Sequence, residues 1–122
     1  MLHPSIRDRY VRDPGPIRLG GLAADLARIA SFSENPKNKK VITTLLEEAK
    51  YFAEWAAPEA PLETQAVLAE IQIALAVWER RWRRGAPDPS MRTEAQHKAD
   101  ELLALAGLVD KSDAEFKVED DK

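Results

Sequence analysis

The thirteen residues from Ala66 to Trp78, AVLAEIQIALAVW, contain only two polar side chains, Glu70 and Gln72. Projected at about 100° per residue, this stretch and its flanks resolve into two apolar stripes. Thr64, Leu68, Ile71, Leu75, Trp78 and Trp82 form one; Leu62, Ala66, Ala69, Ile73 and Val77 form the other. Both advance by three or four residues, the signature of a helix. A helix that is apolar nearly all round is expected to be buried on more than one side. The rest of the chain is therefore expected to be arranged around it. A membrane span needs about 20 apolar residues. This run is shorter and is interrupted by Glu70, so it reads as a core helix and not as a span.

At 122 residues the chain is one domain's worth, large enough for a single core without metal or disulfide staples. It has no cysteine, which excludes disulfides, thiol nucleophiles and zinc–thiolate sites. The N-terminal MLHPSIRDRYVRDPGP lacks an apolar stretch ahead of a small-residue cleavage site. Together these point to a cytoplasmic protein. The net charge of −3 conceals a segregation. Residues 1–40 carry +4, residues 41–79 carry −6, the arginines 80, 81, 83 and 84 add +4, and residues 85–122 carry −5. Bulk binding to nucleic acid is not indicated, but one local basic patch is.

Residues 1–16 hold three prolines and no apolar periodicity, so an extended N-terminal arm is expected there. Pro14-Gly15 signals a turn, and Pro16 suits a first helical turn. The first predicted helix runs from about Ile17 to Phe32, with Leu19, Leu22, Leu26 and Ile29 on one face and Gly20, Ala24, Ala27 and Ser31 on a small-residue face. Asn35-Pro36 opens a second helix, which ends near Ala57 and carries Ile42, Leu45, Leu46, Ala49, Phe52, Ala53 and Ala56 inward. Pro61 opens the third, and Gly85 with Pro87 stops it. The fourth begins near Asp88-Pro89 or at Thr93, with Gln96 completing a capping box, and buries Met91, Ala95, Ala99, Leu102 and Ala106. Gly107-Leu108 fits a Schellman ending.

No segment alternates at period two. The expected architecture is all-α: an up-and-down antiparallel four-helix bundle over residues 17–109. The extended arm (1–16) precedes it, and an acidic flexible tail (110–122) follows.

The chemistry-bearing residues are sparse. A di-metal bundle needs two Glu-x-x-His pairs, and Glu94 with His97 supplies one; the other histidine, His3, lies in the arm. No metal or other cofactor is expected. Gly20-Gly21 lacks the strand and lysine of a phosphate loop. The segment Arg92-Thr-Glu-Ala-Gln-His97 resembles the Arg-x(4–6)-His motif of the HEPN superfamily, helical bundles that include metal-independent ribonucleases. By that resemblance Arg92 would steady a phosphate and His97 would act as acid or base in RNA cleavage.

Arg80, Arg81 and Arg84 lie on the outward side of the third helix's basic end, where arginines also complement the helix dipole. They offer an anion or RNA patch. Trp78 and Trp82 point the other way, so base stacking beside phosphate contacts is unsupported. Tyr51 and Trp55, four apart on the outer flank of the second helix, suit a binding surface or cover for the loop at Pro58.

The surplus stripe Leu62, Ala66, Ala69, Ile73 and Val77 requires a partner. The small-residue face of the first helix and the arm are one candidate. A second copy of the chain, paired antiparallel so that Glu59, Glu63 and Glu70 meet Arg81 and Arg84, is the favoured one. The sequence thus reads as a non-enzymatic interaction protein, an adaptor or small regulatory subunit. It is expected to pair with itself and with another protein.

Overall fold

The computed structural model describes residues 4–85 and 89–107. It is helical: α1 (Pro4–Arg12), α2 (Gly15–Phe32), α3 (Lys39–Ala56), α4 (Leu62–Arg83) and α5 (Pro89–Leu105), with 3₁₀ turns at Pro36–Asn38 and Ala57–Glu59 and no strand among the described residues. The punctuation follows backbone chemistry. Pro14 is the N-cap of α2, and Pro61 that of α4. Asn35 accepts a hydrogen bond from the Lys37 amide at 3.0 Å, which shapes the turn before α3. Gly85 (φ 73°) and Gly107 (φ 74°) take the left-handed conformation that stops α4 and α5. The acidic tail over residues 110–122, the Leu108 contact and the Asp88 cap lie outside the described residues.

The N-terminal segment departs from the expected extended arm. It holds a nine-residue helix, so the described residues form five α-helices rather than four. Ile6 and Tyr10 stand four apart on one side of α1, and proline at its first position costs nothing, because that amide has no intrahelical partner. So short a helix is not stable alone; it is held by docking on α3. Tyr10 stacks on Phe52 with ring centroids 4.0 Å apart and planes within 8°. Trp55 closes the cluster at 6.0 Å from both rings. The Tyr10 hydroxyl donates to the Arg18 carbonyl, tying α1 to α2. Burial holds that phenol well above its ordinary pKa.

The helix at the centre is α2, which packs most extensively on α5 and next on α3. Leu22, Leu26 and Ile29 are fully buried. The alanines Ala23 and Ala30 on α2, and Ala95 and Ala99 on α5, are buried too; side chains that small let two helices approach closely. In turn α3 packs on α4, and α4 touches α5 lightly.

The expectation that α4 is buried on both sides fails within the protomer. Its first stripe is core: Thr64, Leu68, Ile71, Leu75 and Trp78 are buried and Trp82 is half-buried. The buried Trp78 indole N–H donates to Glu94 on α5 at 3.1 Å, and that of Trp82 to Thr43 on α3. Across the helix, Leu62, Ala66, Ala69, Ile73 and Val77 all face solvent. The physical reason is that α5 is committed to α2 and α1 to α3, so neither is left to cover the outer side of α4.

Since Tyr10 is the anchor of α1, Tyr10→Ala is expected to destabilise the protein by about 3 kcal/mol, as truncation of a buried aromatic does. Amide protection should fall first in α1. An unchanged urea midpoint would show that the ring stack holds nothing.

Candidate functional site

The outer face of α4 presents three large apolar side chains: Leu62 is 82% exposed, Ile73 68% and Val77 40%. Exposed alanines 66 and 69 lie between them. Single exposed hydrophobics are ordinary, whereas a row along one helix marks a contact surface. Projected along the helix, Arg80 and Arg84 continue this row at the basic end, while Glu63 and Glu70 flank its other half. Arg80, Arg81 and Arg84 are exposed. Arg83 turns back to Glu79 at 3.2 Å, and Lys98 of α5 reaches Glu70 at 3.3 Å and Glu101 at 3.0 Å.

Tyr51 and Trp55 are half-buried, with rings 5.5 Å apart. Trp55 belongs to the cluster that receives Tyr10. The pair therefore borders the docking site of α1.

Arg92 and His97 are both exposed and line one open cleft between α5 and the Ala30–Ser31 end of α2. The Arg92 guanidinium is paired with Glu34, so contact with a phosphate would require it to leave that carboxylate. No cluster of three His, Cys, Asp or Glu side chains suited to a metal ion occurs among the described residues. No helix among them is long and apolar enough to cross a membrane.

Two charged residues of α2 were missed at the sequence level. Arg18 and Asp25 are 9% and 1% exposed. The signal was available: Arg18, Leu22, Asp25 and Ile29 step by four, three and four along one helical stripe. Arg18 is answered by Glu59, with Nη2 to Oε2 at 2.9 Å. Asp25 is only weakly answered, by Arg28 at 3.3 Å, and its Oδ2 has no donor. Desolvation raises the Asp25 pKa first, and the neighbouring Glu48 carboxylate on α3 raises it further; together they bring it to about 8 against the pull of Arg28. A proton on Asp25 lets it hydrogen-bond to Glu48, where two ionised carboxylates would repel.

Comparison with protein-family profiles, curated proteins and solved structures finds no match.

The buried carboxyl has a pH signature. Unfolded, Asp25 releases its proton near 3.8; folded, it keeps it to about 8. The folded state therefore binds the extra proton between those values, and its stabilising effect is lost as pH rises through that window. Asp25→Asn should leave the melting temperature little changed near pH 4, raise it near pH 9 and flatten the slope between. A variant that keeps the wild-type slope would place the titration elsewhere.

Proposed function

We propose that this protein is a non-enzymatic interaction module that pairs with a second copy of itself through the outer face of α4, as an adaptor or small regulatory subunit does. The carrying observation is the row Leu62, Ala66, Ala69, Ile73 and Val77, which no part of the described chain covers. The ring of contacts that runs through α2, α3, α4 and α5 and returns to α2 is read as an up-and-down bundle with α1 strapped outside. Such a bundle leaves one long face of α4 free.

A second copy suits that face because the row is matched to itself. A 22-residue helix is about 33 Å long. With a two-fold axis near Ile73, the isoleucines of the two copies meet and Val77 lies opposite Ala69 of the other copy. Arg80 and Arg84 then approach the Leu62–Glu63 end of the facing helix. Opposite charges meet at both ends, as an isologous contact requires. In this reading the arginine cluster is the electrostatic rim of the dimer contact and not a nucleic-acid site.

Multi-angle light scattering at tens of micromolar should give a dimer for the wild-type chain. Ile73→Glu should give a monomer of unchanged helicity, because a surface substitution costs about 0.5 kcal/mol or less in the protomer. A wild-type monomer at that concentration would end the self-pairing reading.

A nuclease reading rests on a narrower observation, the shared cleft of Arg92 and His97. It requires metal-independent RNA cleavage that His97→Ala abolishes. Cleavage that survives the substitution, or none at all, removes it.

A further inference from the structure

Where the first turns of α2 and α4 come near the end of α5, they border a partly open cavity of about 170 Å³. Arg18 and Leu19 line it from α2, Ala56 from α3, Thr64 from α4, and Leu105 and Ala106 from the end of α5, with Glu59 at the rim. Its walls are mostly aliphatic. Its electrostatics are not neutral. Both α2 and α4 begin on a proline N-cap, and neither has a side-chain capping bond. The first-turn amides at two helix N-termini therefore lack a side-chain acceptor and leave partial positive charge there.

The second observation is the guanidinium. Arg18 is nine-tenths buried, lines the cavity, and engages Glu59 through Nη2 alone. Its Nε is buried and has no acceptor. An arginine fork presents Nε and Nη2 together to the two oxygens of one carboxylate, and here half of that fork is unused. Glu59, whose side chain is 74% exposed, can leave for water at small cost, since exposed carboxylates bind weakly.

We propose that this cavity is a binding site for a small aliphatic monocarboxylate. The ligand's carboxylate takes both Nε and Nη2 of Arg18 in place of Glu59, and its hydrocarbon chain lies against Leu19, Ala56 and Leu105. Glu59 already shows that a carboxylate seats on this guanidinium. Among the described residues Arg18 is the one cationic side chain lining the cavity, which favours a monoanion over a phosphate, and the aliphatic walls favour a ligand with a tail. This site lies apart from the outer face of α4 and does not depend on self-pairing.

The test is an NMR titration of the labelled full-length protein with sodium butyrate, with butyramide and inorganic phosphate as controls. Saturable shifts are expected at Leu19, Ala56, Thr64 and Ala106. Glu59→Gln, which removes the internal competitor, should tighten butyrate several-fold. Arg18→Gln should weaken it about tenfold or more, the usual loss for a charge-assisted pair. Butyramide, equal in shape and uncharged, should bind at least tenfold more weakly to the wild type by the same reasoning, and this arm needs no variant that might misfold. The proposal is overturned by the absence of saturable shifts in both wild type and Glu59→Gln, by butyramide binding as well as butyrate, or by phosphate matching butyrate on the same amides.

Discussion

The close fit of α2 against α5 sets the remaining geometry. Alanines 23 and 30 of α2 and alanines 95 and 99 of α5 are buried, and of the large side chains that fill the core α5 supplies Met91 and Leu102 while the rest come from α2, α3 and α4. Tight helix pairs of this kind give up side-chain volume for proximity and gain it back as dispersion contacts along their whole length. Because α5 is drawn to α2, it meets α4 only lightly, and two polar contacts cross between them, Lys98 with Glu70 and the Trp78 indole with Glu94. A helix that carries two apolar stripes is thereby satisfied on one.

The same packing explains the two buried charges. Arg28 and Ser31 of the central helix reach solvent, but Arg18 and Asp25 fall on its inner stripe. The chain resolves them differently. Arg18 sits one turn from the helix start, near enough to the edge to reach Glu59 across the turn after α3. Asp25 sits mid-helix, where burial desolvates it and a neighbouring group on α3, Glu48, is another carboxylate. Keeping its proton is less costly than keeping its charge.

Much of this was readable from residue spacing. The four longer helices fall where prolines and glycines punctuate the chain, because proline fixes φ and removes a donor while glycine admits the left-handed terminus. The inward faces of α3 and α5 follow from single apolar arcs. What spacing left open was which of two arcs on α4 the protomer covers. Alanine counts as apolar in such a projection yet is at ease exposed on a helix, so Ala66 and Ala69 made the outer row look more like core than Leu62, Ile73 and Val77 alone would. The first helix was hidden for the opposite reason: three prolines read as extended chain, although Pro4 starts that helix and Pro14 starts the next. Its one decisive contact, Tyr10 on Phe52, spans 42 positions and has no local signature.

The outer row of α4 and the cavity beneath Arg18 pose the same physical problem with opposite sign. The first is apolar surface left in water, and the second is a charge withdrawn from it. Folding of the described residues removes neither cost: no helix among them is left to cover the row, and Glu59 meets only half of the arginine fork. In the proposed dimer and at the proposed ligand site, each cost would fall on binding from outside the protomer. In the proposed dimer a second copy of α4 would remove the first by burying area. At the proposed ligand site a carboxylate with an aliphatic tail would remove the second by pairing Nε while its hydrocarbon lies against the aliphatic walls. Residual costs of this kind in a small folded protein are what binding can recover, and that is the physical ground for proposing a partner at the row and a ligand at the cavity.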